Sequence, residues 1–184
     1  MARVLAFGAL AFAAWYLAAK PLSLVCAWIG SRVLEAAAPV DRARYTYRDG
    51  MLAFAIEPDY DTSRRRALPA GTSFETTVSA PTYSYGLPFF VALMLASRAR
   101  GFAARSALGA GVILLAAGAG VAFDVLRDLM ALRTASGDAV FPFSSMARET
   151  IALGYQLASL LFPPLLPVML WAALDWKSVE ALGR

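Results

Sequence analysis

Four apolar stretches dominate this chain and leave it few ways to fold in water. They occupy residues 4–34, 82–97, 106–132 and 151–176. A helix crossing ~30 Å of hydrocarbon takes about 20 apolar residues. Hydrophobic residues fill 59% of the 184 positions and charged residues only 16%. Ordinary soluble domains run at about 45–50% and about 25%, and a globular core of this length cannot absorb the excess. The expectation is an α-helical polytopic membrane protein with about four transmembrane helices, bathed in membrane lipid.

The four stretches differ in kind. The first is longer than one span, and Pro21 is positioned to kink it. Arg3 ahead of an apolar run also fits a secretory signal, but the length of the run and Trp15-Tyr16 inside it favour a span. The second is short, with Tyr83 and Tyr85 at one end as an aromatic belt and Arg98 and Arg100 at the other. The third is rich in small residues, and Gly111 and Gly118 offer a row for a packed helix. The fourth carries Pro163, Pro164 and Pro167, which remove backbone donors and should bend or break the helix.

Residues 35–81 interrupt this pattern. Asp49-Gly50 lies between two β-prone runs, a strong hairpin signal, and residues 73–79 suit a third strand. Arg64, Arg65 and Arg66 read as loop. A three-stranded antiparallel sheet of this size needs support from the membrane domain, a second copy or a partner. The resulting division is residues 1–34 as the first transmembrane helix, 35–81 as a β insertion, 82–176 as a three-helix transmembrane region and 177–184 as a tail.

Charge orients the scheme. Arg98, Arg100 and Arg105 give the loop between the second and third spans three positive charges and no acid, whereas residues 35–81 hold six Arg against seven acids. The positive-inside rule then places the arginine loop and both termini in the cytoplasm and the β insertion in the periplasm. The net charge of +4 reads as an orientation signal, and no nucleic acid is implied.

The chemistry is bounded by absences. There is no histidine and one cysteine, Cys26. His-based catalysis, His-ligated metals and haem, cysteine clusters and internal disulfides are all excluded. No cofactor or metal is expected, and Cys26, with no histidine to serve as its base, reads as apolar filler. Asp124 lies 19 residues beyond Arg105, about 28 Å along a helix, so it falls at the far interface. Arg127 and Asp128 share its face. Tyr83 and Tyr85 from the second stretch, and Arg148, Glu149, Tyr155 and Gln156 from the fourth, belong at the same depth. This predicted polar cluster suits a structural ion pair or a binding surface. It suits catalysis poorly, since Arg127 would hold both aspartates ionised.

Three segments resemble one family. Thr82-Tyr83-Ser84-Tyr85-Gly86-Leu87-Pro88, leading into an apolar helix, resembles the YGYGLP run of exosortase H-associated membrane proteins. Phe123-Asp124-Val125-Leu126-Arg127 resembles their FDLLK element, and Ala152-Leu153-Gly154-Tyr155-Gln156-Leu157 their ALGYQL signature. The resemblance implies a small polytopic inner-membrane protein of Gram-negative bacteria, encoded beside an exosortase. That membrane enzyme processes C-terminal sorting signals of exported proteins and itself uses Cys, Arg and His. A chain without histidine therefore resembles the companion, and the shared positions nearly coincide with the polar cluster.

The resulting expectation is a non-enzymatic accessory protein that docks an exosortase or its exported substrate at the periplasmic face. One rival is an auxiliary subunit on the rim of a larger membrane complex, held through Gly111 and Gly118. The other is an enzyme or transporter using Asp124 and Gln156.

Overall fold

The computed structural model describes residues 2–59, 71–97, 101–134 and 137–175. The first apolar stretch is two helices, α1 (Ala2–Leu17) and α2 (Ala19–Ala37), with an angle of 69° between them. Pro21 is the physical cause, although the break falls at Ala18. Pro21 offers no N–H to the Leu17 carbonyl, and its ring excludes that carbonyl from a regular turn. The flanking bonds, Ala18 N–H to Ala14 O and Leu22 N–H to Ala18 O, survive at 3.0 and 3.1 Å. At this inclination the 19 residues of α2 advance only about 10 Å along the α1 axis. Thus α2 lies obliquely across the bundle.

Three strands follow, β1 (Val40–Arg48), β2 (Met51–Pro58) and β3 (Phe74–Val78), in the antiparallel order β1-β2-β3. Asp49 and Gly50 turn the hairpin with φ of 50° and 80°. Both are left-handed, the geometry that matches strand twist and for which Asp-Gly is suited. Arg64–Arg66 and residues 98 and 100 lie outside the described residues.

A single turn, α3 (Pro81–Ser84), leads into α4 (Gly86–Ser97). The 30-residue α5 (Phe102–Ala131) then forms the axis of the molecule. After a loop come α6 (Ser145–Gln156), a π-helical turn (Leu157–Leu161) and α7 (Phe162–Leu174), continuous over 30 residues. The three prolines do not break this run. The π turn, closed by Phe162 N–H on Leu157 O, widens the helix just ahead of them. Ser159 Oγ meanwhile donates to Tyr155 O at 2.7 Å.

Among the described residues two helices are long and apolar enough to cross a membrane, α5 and the α6–α7 run, and three if the bent α1–α2 pair is one span. The expected count of four is not reached because α4 has 12 residues, about 18 Å. It packs between α1, α5 and α7. Phe90 of α4 fills the space left by Gly109, and Gly86 lies against the Pro163 carbonyl, where a Cβ would come within 2.5 Å.

The sheet leans on the membrane-type bundle. Its inner face, Leu52, Phe54, Ile56 and Val78, shares one core with Leu34 of α2 and with Val125 and Leu129 of α5. Phe141 in the loop before α6 closes that core, its ring 6.0 Å from that of Phe74.

Gly118 and Gly111 part company. Gly118 is buried under α2, where a Cβ would meet Ile29 Cβ at 2.5 Å, while Gly111 has nothing within 4 Å. α2 packs on the first position, whereas no described element packs against the second. Gly118→Leu is expected to cost about 1–3 kcal/mol by overpacking, and Gly111→Leu to leave stability unchanged. Thermal unfolding of the two variants in detergent measures both.

Candidate functional site

The last turns of α5 carry Asp124, Arg127 and Asp128 on one face, and neighbouring elements close around them. Arg127 Nη2 stands 2.9 Å from Asp124 Oδ1 and donates to Asp128 Oδ1 at 3.0 Å, while its Nε reaches the same oxygen at 3.3 Å. The guanidinium carbon lies 4.3 Å from the centre of the Tyr155 ring on α6, a cation–π contact. The other Asp128 oxygen, Oδ2, accepts from Thr76 Oγ1 of β3. Tyr83, on α3, is buried against Gly120, one turn of α5 ahead of Asp124.

One guanidinium thus ties α5 to α6, and through Asp128 to the sheet. The arrangement is a latch between the bundle and the strands. Arg127 turns Nε and Nη2 toward the two carboxylates while its side chain remains 42% exposed. Asp124 Oδ1 is buried and, although 2.9 Å from Arg127 Nη2, accepts no hydrogen bond of good geometry. Among the described residues no three His, Cys, Asp or Glu side chains converge on a metal position.

Of the predicted cluster, the structure brings together Tyr83, Asp124, Arg127, Asp128 and Tyr155. Tyr83 is 4% exposed, so it belongs to this site and not to an interfacial belt. Tyr85, Arg148, Glu149 and Gln156 are exposed and stand apart. Arg148 Nε donates to the Phe143 carbonyl at 3.2 Å, steadying the loop next to α6, which Ser144 caps by accepting from Ala147 N–H. Sequence reasoning missed Thr76. Alternation along β3 puts Phe74, Thr76 and Val78 on the inner face, but nothing in the sequence says that this face meets α5.

A groove also went unforeseen. Val33 and Ala37 of α2, Phe123 and Leu126 of α5, and Phe143 and Ile151 border an apolar depression of about 440 Å³. Phe123 adjoins Asp124 in the chain, so groove and latch share one stretch of helix. Bare backbone at Gly154 admits the Phe123 ring, which an added Cβ would meet at 2.5 Å.

Arg127→Ala leaves two carboxylates adjacent with no counter-charge. The expected loss is roughly 1–3 kcal/mol, given the half-exposed guanidinium. Adding Asp124→Asn should recover part of it, because the repulsion is then relieved. Chemical unfolding of the single and double variants reads the coupling.

Among curated proteins and solved structures nothing matches the chain. The family model of the exosortase H-associated membrane protein matches residues 1–178. That match covers every described element, including Tyr83, Asp124, Arg127 and Tyr155 of the latch. The chain therefore belongs to the exosortase H-associated membrane protein family.

Proposed function

We propose that the protein is a non-enzymatic accessory component of an exosortase-type sorting system in the bacterial inner membrane. In this reading both termini are cytoplasmic, the sheet is periplasmic, and the sheet-side face docks an exosortase or its exported substrate. The observation that carries the proposal is the latch. Arg127 and Asp128 fix a three-stranded sheet to the end of a membrane-type helix. That is the construction expected of a rigid platform presented at a membrane surface. Binding surfaces gain from such rigidity because less entropy is lost on association.

The orientation follows from charge. Residues 98–105 carry three Arg and no acid, and the opposite end of α5 bears the paired Asp124, Arg127 and Asp128. A basic loop without acidic residues belongs on the cytoplasmic side.

The rim-subunit alternative draws on a different observation. Around Gly111 the side chains of Leu108 and Leu115 are exposed, and the α6–α7 run is only 17% buried in its most apolar window. These faces suit lipid or a neighbouring helix. The enzyme or transporter reading has less behind it. Gln156 is exposed and forms no hydrogen bond among the described residues, and Asp124 is held by Arg127.

Affinity purification of the full-length protein from native membranes in mild detergent should retain an exosortase or an exported substrate. A bare monomer would sink the docking proposal. For orientation, Thr77 is exposed on β3 and Cys26 is buried. A membrane-impermeant maleimide should therefore label Thr77→Cys in cells whose outer membrane has been permeabilised, and leave the parent protein unlabelled. Labelling only after lysis would reverse the topology.

A further inference from the structure

β1 is an edge strand nine residues long, packed against α2 and with no further strand hydrogen-bonded to its outer side among the described residues. The two-residue turn at Asp49-Gly50 closes on the pair Arg48 and Met51. Pairs alternate between bonded and non-bonded along an antiparallel ladder. Arg48, Thr46 and Arg44 therefore direct their backbone groups to β2, while those of Tyr47, Tyr45 and Ala43 point away from the sheet. Among the described residues no backbone bond outside the sheet reaches these three. Proteins ordinarily shield a free edge of this length.

The side chains define what suits that edge. Arg42, Arg44, Thr46 and Arg48 stand exposed on the outer face. Arg44 is paired with Glu57 at 3.2 Å, and Arg42 and Arg48 have no acidic partner among the described residues. On the inner face Tyr45 and Tyr47 are only half-buried, although they pack against the core. The opposite neighbour, β2, shows the pattern that complements β1. It turns Leu52, Phe54 and Ile56 inward and Glu57 outward. A second copy is a poor occupant, because pairing β1 with β1 sets arginine rows side by side, and like charges across strands are destabilising.

We propose that the open edge of β1 receives an extended acidic segment of a partner polypeptide as a fourth strand. The apolar side chains of that segment pack beside Tyr45 and Tyr47, and its carboxylates meet Arg42 and Arg48. Main-chain bonds supply affinity in this mode and the alternating side chains supply selectivity. The inference rests on the docking function above and names its site and its ligand class.

The test uses the full-length protein in nanodiscs of zwitterionic lipid and a fluorescent nine-residue peptide alternating Glu and Val, matched to the length of β1. Saturable anisotropy is expected. Arg42→Gln with Arg48→Glu, which sets no like charge opposite Glu57, should weaken binding by about tenfold with the unfolding transition unchanged. The same variant should gain affinity for a peptide alternating Lys and Val. Tyr45→Pro, which deletes an outward N–H while sparing the bonds to β2, should abolish binding. The proposal is overturned if the Lys peptide binds the parent protein equally, or if the edge variants bind the Glu peptide as the parent does. It is also overturned if the arginines capture phosphatidylglycerol vesicles and not the peptide. Loss of peptide binding with co-purification intact removes only the edge assignment. Absence of any co-purifying protein removes the docking function itself.

Discussion

Gly30 on α2 and Gly118 on α5 lack the side chains that would hold these helices apart. A Cβ on Gly30 would stand 3.2 Å from the Gly118 carbonyl, and one on Gly118 would press into Ile29. Small residues permit such approach where hydrocarbon offers no hydrophobic drive between helices. The contact places the end of α2, and hence the start of β1, over the last turns of α5. Leu34 enters the same core as Val125 and Leu129, and the sheet is laid on the position so defined.

The Arg127 latch then acts on a geometry already set by packing. Its guanidinium faces two carboxylates and an aromatic ring, and the second oxygen of Asp128 is free for Thr76. Half-exposed ion pairs add little stability by themselves. Their value here is orientation, because two guanidinium donors converge on one oxygen of Asp128 and leave the other facing Thr76. A strand held by the apolar core alone could slide along α5, and the Thr76–Asp128 bond removes that freedom.

Both irregular points in the helices lie beside prolines. At Ala18 the chain turns by 69°, and the turned helix is caught by α5. At Leu157–Leu161 the helix widens and continues. The surroundings differ, since Pro163 and Pro167 are buried with Gly86 of α4 seated against them. Pro21 is exposed. Backbone left unsatisfied within hydrocarbon is tolerated only where protein surrounds it.

The amino-acid sequence alone determined the local features. The apolar runs specified helices, Asp49-Gly50 specified the hairpin, and helical spacing put Asp124, Arg127 and Asp128 on one face. Each depends on residues close in the chain, where periodicity and turn chemistry act directly. Only the tertiary structure decided which of these features meet. It buried Tyr83 beside Asp124, brought Thr76 to Asp128, and left Tyr85, Arg148, Glu149 and Gln156 outside. It spent Gly118 on α2 and left Gly111 open. Such choices depend on where α2 crosses α5 and on the bend at Ala18. Those angles arise from close packing between segments far apart in sequence, for which a single chain carries no periodic signal.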